Sequence, residues 1–144
     1  MKAKDYIRIQ GNCPSSKNSK VKTRTGFIVH SKQCQVYYKL TKQEWIDGAA
    51  VFKEMFKNEA KPYFVGFYYV RKSKHQFDYV NPNQTSLDQM VKYGWIDDDN
   101  ADEIVPVFLG YHHDKDNPCT FIKNVGPSLR KATQKVSATL RGTI

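Results

Sequence analysis

Tyr63 to Val70 is an unbroken run of apolar and aromatic residues, YFVGFYYV. It is bounded by Lys61-Pro62 on one side and by the polar, basic stretch Arg71 to Gln76 on the other. A short continuous apolar run between such breakers predicts a buried central strand. The remaining elements must then be arranged around that strand. Tyr6-Ile7-Arg8-Ile9-Gln10 alternates and stops at Gly11, which predicts a first strand. Residues 12–26 have no core pattern and read as a basic, Ser- and Asn-rich loop, with Thr25-Gly26 placed to turn the chain back through Phe27-Ile28-Val29.

A long helix follows. Ser31 is its N-cap, and Tyr38, Trp45, Ala49, Phe52 and Phe56 make one apolar stripe. A second helix starts at Asn81-Pro82, with Asn81 as cap and Pro82 as first helical residue. Leu87, Met90 and Val91 face inward, and Gly94 stops it. Ile104 to Tyr111 and Thr120 to Val125 are two further strands, and a basic helical segment begins at Ser128. At 144 residues the chain is one domain, 1–144. The expected class is α/β (α+β): a mixed sheet of about four strands packed with two to three helices.

Charge divides the chain into blocks. The net charge is +9, from 23 Lys and Arg against 14 Asp and Glu. Locally it runs +11 over residues 1–77, −7 over 78–116 and +5 over 117–144. Carboxylates crowded into a basic chain repel one another unless a cation lies between them, and a divalent metal is the usual one. The surrounding Lys and Arg suit a phosphate backbone. The alternative is an acidic loop that is merely solvated. No apolar run reaches the roughly 20 residues of a membrane span, and MKAKDYIRIQG carries no apolar signal segment. Cys13, Cys34 and Cys119 form neither a zinc pattern nor a disulfide framework, so idle thiols in a reducing cytoplasm are expected.

Four carboxylates are the candidates for chemistry. Asp78 follows the central strand and precedes a helix. Asp88 lies inside that helix, and its spacing from Gln84, Val91 and Trp95 puts the four on one side. The Asp97–Asp99 turn returns the chain toward the strand edge, although three consecutive side chains cannot all face one ion. Asp88 has a simpler alternative partner in Lys92, four residues on. His112 and His113 fall on opposite faces of a strand end, and His75 precedes Asp78 by three residues.

Three blocks carry a resemblance: Gly11-Asn12-Cys13-Pro14-Ser15-Ser16-Lys17-Asn18, Asp78-Tyr79-Val80-Asn81, and Gly94 through Asp99. In order and spacing they resemble the RusA-type Holliday-junction resolvases, over roughly residues 6–125; residues 126–144 are a basic extension. The resemblance implies a small homodimeric endonuclease in which an Asp cluster binds magnesium, or manganese in its place, and activates water for attack on DNA. By position, Asp78, Asp98 and Asp99 match the family's acids, and Asp88 matches an Asp of the intervening helix. Two positions depart from the pattern. Val80 stands where the family has a second Asp, and Gln84 stands where it has a Lys.

The expectation is a magnesium-dependent endonuclease cleaving branched DNA, above all four-way junctions, in recombination and repair. Asp78, Asp98 and Asp99 hold the metal, with Asp88 added, and Lys17, Lys20, Lys22 and Arg24 contact phosphates. Arg130, Lys131, Lys135 and Arg141 extend that basic surface. The alternative on the same fold is a DNA-binding protein that cuts poorly or not at all.

Overall fold

The computed structural model describes residues 5–15, 20–26 and 28–143. Its sheet has four strands: β1 (Ile7–Gln10), β4 (Tyr63–Arg71), β5 (Ile104–His113) and β6 (Cys119–Asn124). Their order is β1-β6-β4-β5. β6 runs antiparallel to both β1 and β4, whereas β5 runs parallel to β4. The sheet is therefore mixed, and the apolar run of β4 is interior to it, as its composition requires. A separate hairpin pairs β2 (Lys20–Lys22) with β3 (Ile28–His30), and the Gly26 N–H bonds the Thr23 carbonyl in its turn. Among the described residues three helices complete the α+β domain: α1 (Lys32–Met55), α2 (Val80–Lys92) and α3 (Gly126–Thr143). No helix among the described residues is long and apolar enough to cross a membrane.

α1 begins where its cap was expected, with the Ser31 hydroxyl accepting from the Cys34 N–H. Its buried stripe is Cys34, Tyr37, Thr41, Trp45, Gly48 and Phe52. Tyr37, not Tyr38, is the buried tyrosine, and Ala49 is only half-buried, so the stripe is rotated from the expected one. The reason lies at Gly48. A Cβ there would overlap the indole of Trp95, so the helix turns its one side-chain-free position toward that ring. Trp45, Phe52 and Trp95 form one aromatic contact set with Phe56 and Tyr63 behind it.

α2 starts earlier than the sequence suggested. Tyr79 is its cap, with no side-chain bond, and Asn81 is already helical. The Asp78 carbonyl takes the Asn81 N–H at 3.0 Å, which tightens the chain into a turn before Pro82. Pro82 is accommodated because the first turn of a helix has no intrahelical use for that N–H. The other end is as expected. Gly94 has φ +78, the Trp95 N–H reaches back to the Met90 carbonyl and the Gly94 N–H to that of Val91. This double bond pattern closes the helix and directs Trp95 into the core.

Candidate functional site

The N-terminal loop is clamped onto the start of α2. Thr85 Oγ1 donates to the Pro14 carbonyl at 2.6 Å. The Cys13 thiol faces the Pro82 carbonyl at 3.4 Å and Ser86 Oγ at 3.6 Å. Beneath them Asn83 Nδ2 donates to the Tyr69 hydroxyl at 3.1 Å, and that hydroxyl meets Ser86 Oγ at 3.2 Å. Burial pushes the Tyr69 phenol and the Cys13 thiol above their ordinary values, so both stay protonated and act as hydrogen-bonding groups. Arg71, at the end of β4, donates to the Cys13 carbonyl at 2.7 Å and lies 4.6 Å over the Phe77 ring. The Lys72 N–H bonds Asn12 Oδ1 at 2.9 Å. The described part of the first block (Gly11 to Ser15) is thus held against α2, the helix that follows the second block, and against the end of β4. No motif spacing reveals that network, because its members are Thr, Ser, Asn and backbone groups.

The third block arrives by way of Trp95. Its indole N–H donates to the Trp45 carbonyl at 2.7 Å, which fixes the start of the acidic turn against α1. From that turn Asp99 reaches α2. Gln84 Nε2 donates to Asp88 Oδ1 at 2.8 Å and to Asp99 Oδ2 at 3.0 Å. One side-chain amide therefore draws together two carboxylates from different elements. Asp88 uses Gln84 rather than Lys92, whose ammonium lies 5.4 Å over the Tyr93 ring.

The other acids have different surroundings. The Asp98 carboxylate accepts from the Asp99 N–H at 2.8 Å and from Asn100 Nδ2 at 3.2 Å. Those donors, the Asp99 N–H foremost, hold its carboxyl below the usual range. Asp97 pairs with Lys61 at 3.3 Å, and Lys61 also holds Glu103 at 2.7 Å. Asp78 is exposed between Phe77 and Tyr79, and its carboxylate has no hydrogen-bond partner among the described residues. Val80 is exposed at the first position of α2. Among the described residues, no three His, Cys, Asp or Glu side chains converge as a ready-made ion site.

His112 and His113 bond groups other than these acids. His112 Nδ1 bonds the Tyr68 hydroxyl at 2.8 Å, His113 Nε2 the Lys72 carbonyl at 3.1 Å, and His75 is exposed. Of the loop cations, Lys22 and Arg24 are exposed on the β2–β3 hairpin. Lys17 lies outside the described residues, as does the side chain of Lys20.

The aromatic side chains around Asp78 follow no motif or stripe in the sequence. Tyr79 stacks on Phe108 with centroids 5.1 Å apart, and Phe77 meets Tyr111 edge-on at 5.0 Å. Their periodicity is split between a loop and an edge strand, so only the fold brings them together. No family model and no curated protein matches this chain.

Proposed function

We propose that this protein is a magnesium-dependent endonuclease of the RusA type, acting on branched DNA as a homodimer in the cytoplasm. The observation that carries the reading is the approach of Asp88 and Asp99 through Gln84 in a chain of net charge +9. Carboxylates and amide oxygens are hard donors of the kind magnesium takes. Gln84 spends its amide hydrogens on Asp88 and Asp99, which leaves its carbonyl oxygen as a further donor. Asp88 and Asp99 would hold the ion, with Asp98 on the same turn and Asp78 at the start of α2. When bound, the ion supplies Lewis-acid polarisation of a phosphoryl oxygen and a water of lowered pKa.

The chain's own groups supply the rest. Lys22 and Arg24, with Lys17 and Lys20, neutralise phosphates on the approaching strands. Arg71 and the buried Tyr69–Ser86–Asn83 bonds fix the loop at residues 11–14 against α2, so the cations are carried on an anchored base. Selectivity comes from the shape of the junction, and a two-fold dimer suits its symmetry by presenting two sites to two strands.

A second reading is a DNA-binding protein that does not cut. It is favoured by the exposed Val80 at a position where the family carries a carboxylate, and by the absence of three converging ligands among the described residues. The test is incubation with a labelled four-way junction and a linear duplex, with and without magnesium. Magnesium-dependent nicking of the junction in preference to the duplex supports the nuclease. Tight junction binding with no product supports the second reading.

A further inference from the structure

One face of the sheet packs against α1 and α2. On the other, α3 covers only the region around the start of β4, where Arg130 lies 5.0 Å over the Phe64 ring and donates to the carbonyls of Ala60 and Pro62. Farther along β4, no helix among the described residues covers this face. There Tyr6, Tyr68, Leu109, His112, Phe121 and Lys123 line a depression of about 400 Å³.

Strand register builds this surface. Arg8 pairs with Phe121 and Phe121 with Tyr68, so the three side chains form a row on one face. Tyr6 meets Phe121 edge-on at 5.2 Å. The Tyr68 hydroxyl bonds His112 Nδ1 at 2.8 Å with the rings 5.5 Å apart. These contacts hold the rings in place ahead of any ligand. Arg8 and Lys123 are exposed on the same face. Among the described residues the lining contains no carboxylate. Asp5, next to Tyr6, lines a different depression beside Val51 and Glu54 of α1. Asp114 Oδ1 is taken by the N–H groups of Asp116 and Asn117 in its own turn.

Half-exposed aromatic rings flanked by cations on an open sheet suit unpaired bases, whose π-faces stack while their phosphates meet the cations. A duplex keeps its bases stacked inside and offers no such face. We propose that this surface binds single-stranded DNA, with bases on Phe121 and Tyr68 and phosphates at Arg8 and Lys123. The choice of DNA over RNA rests on the branched-DNA reading above; the stacking surface does not. The site lies on the face of the sheet opposite α2, so an unpaired arm held here is separate from the strands at Asp88 and Asp99.

Fluorescence anisotropy of labelled oligothymidylate, roughly 12 nucleotides long, tests this in buffer containing a metal chelator. The full chain binds it, and Phe121→Leu and Tyr68→Leu each weaken binding on the order of 10-fold. The exposed pair Arg8→Ala with Lys123→Ala weakens it as well and covers the case in which an aromatic variant fails to fold. Lys22→Ala with Arg24→Ala leaves oligothymidylate affinity intact while lowering duplex affinity. No binding by the parent overturns the proposal, as does unchanged affinity in the Arg8/Lys123 pair together with a folded Phe121→Leu. Tighter binding of oligouridylate overturns the assignment to DNA. A change of mass in light scattering on Phe121→Leu makes the face an interface between copies and also overturns it. The titration involves neither magnesium nor cleavage, so an uncut junction speaks only to the nuclease reading.

Discussion

Gln84 and Asp99 are joined by a 3.0 Å hydrogen bond although they lie fifteen positions apart in the chain. The same amide holds Asp88 at 2.8 Å. If these carboxylates hold the catalytic ion, Asp99→Asn lowers magnesium-dependent junction cleavage by at least about 100-fold. Junction binding in chelator stays near the parent value, because other residues supply the phosphate contacts. Quantified nicking and a gel-shift titration on the same preparation check this. A variant that cuts like the parent removes Asp99 from the site.

Gln84→Lys puts an ammonium between two carboxylates. It pairs with them and competes with magnesium, so metal affinity in a calorimetric titration falls by roughly 10-fold. If cleavage rises with no loss of metal affinity, the position belongs instead to a cation that faces the transferring phosphate.

Junction affinity falls steeply with salt. Each lost phosphate contact on duplex arms flattens the slope of log K against log salt by about 0.9. Lys20→Ala, Lys22→Ala and Arg24→Ala combined therefore flatten it by about 2.7 per subunit if each cation meets one phosphate. An unchanged slope moves the DNA off the β2–β3 hairpin.

Alkaline pH destabilises the fold. Burial raises the Cys13 thiol above its ordinary 9.0 and the Tyr37 phenol well above 10.0. The folded protein keeps protons that the unfolded chain releases, so this stabilisation is complete below those ordinary values and is lost as pH rises through and above them. Urea midpoints decline as pH rises above about 9. A thiol reagent at about pH 8 leaves all three buried cysteines unmodified until denaturant is added. A flat midpoint contradicts the pH dependence, and rapid native labelling contradicts the burial of the thiols.

Gly48→Ala drives a methyl group into the Trp95 ring. Overpacking of this kind costs about 1–3 kcal/mol. The thermal midpoint falls, and the acidic turn loosens with it because Trp95 is its anchor. A variant as stable as the parent means that α1 shifts to admit the methyl.

The elements whose periodicity is set locally were legible from composition. The run at 63–70 is the interior strand β4, Ser31 caps α1, and Gly94 ends α2. That Gln84 and Asp88 share one side of α2 was legible too, since helical spacing alone brings residues four apart together. The start of α2 was not, because the Asp78 carbonyl, rather than the Asn81 side chain, organises that turn. The rotation of α1 from Tyr38 to Tyr37 comes from Gly48 accepting an indole eleven residues away from Tyr37, which no stripe count contains. Among the acids, equal charge hid unequal partners. Lys61 takes Asp97 and local N–H donors occupy Asp98, whereas Asp99 crosses to Gln84. These distinctions are tertiary, as is the gathering of Tyr6, Tyr68 and Phe121 from three strands on one face.

Both tryptophans of the chain sit in a single contact, with ring centroids 5.1 Å apart and the Trp95 indole bonded to the Trp45 carbonyl. The protein's whole indole emission therefore originates at the joint between α1 and the root of the acidic turn. Excitation at the red edge isolates a native optical reporter for that joint with no label attached. Ion loading, strand docking or local fraying that tugs on Ile96 and Asp97 is thereby convertible into a spectral displacement, while motions of the β2–β3 hairpin stay dark.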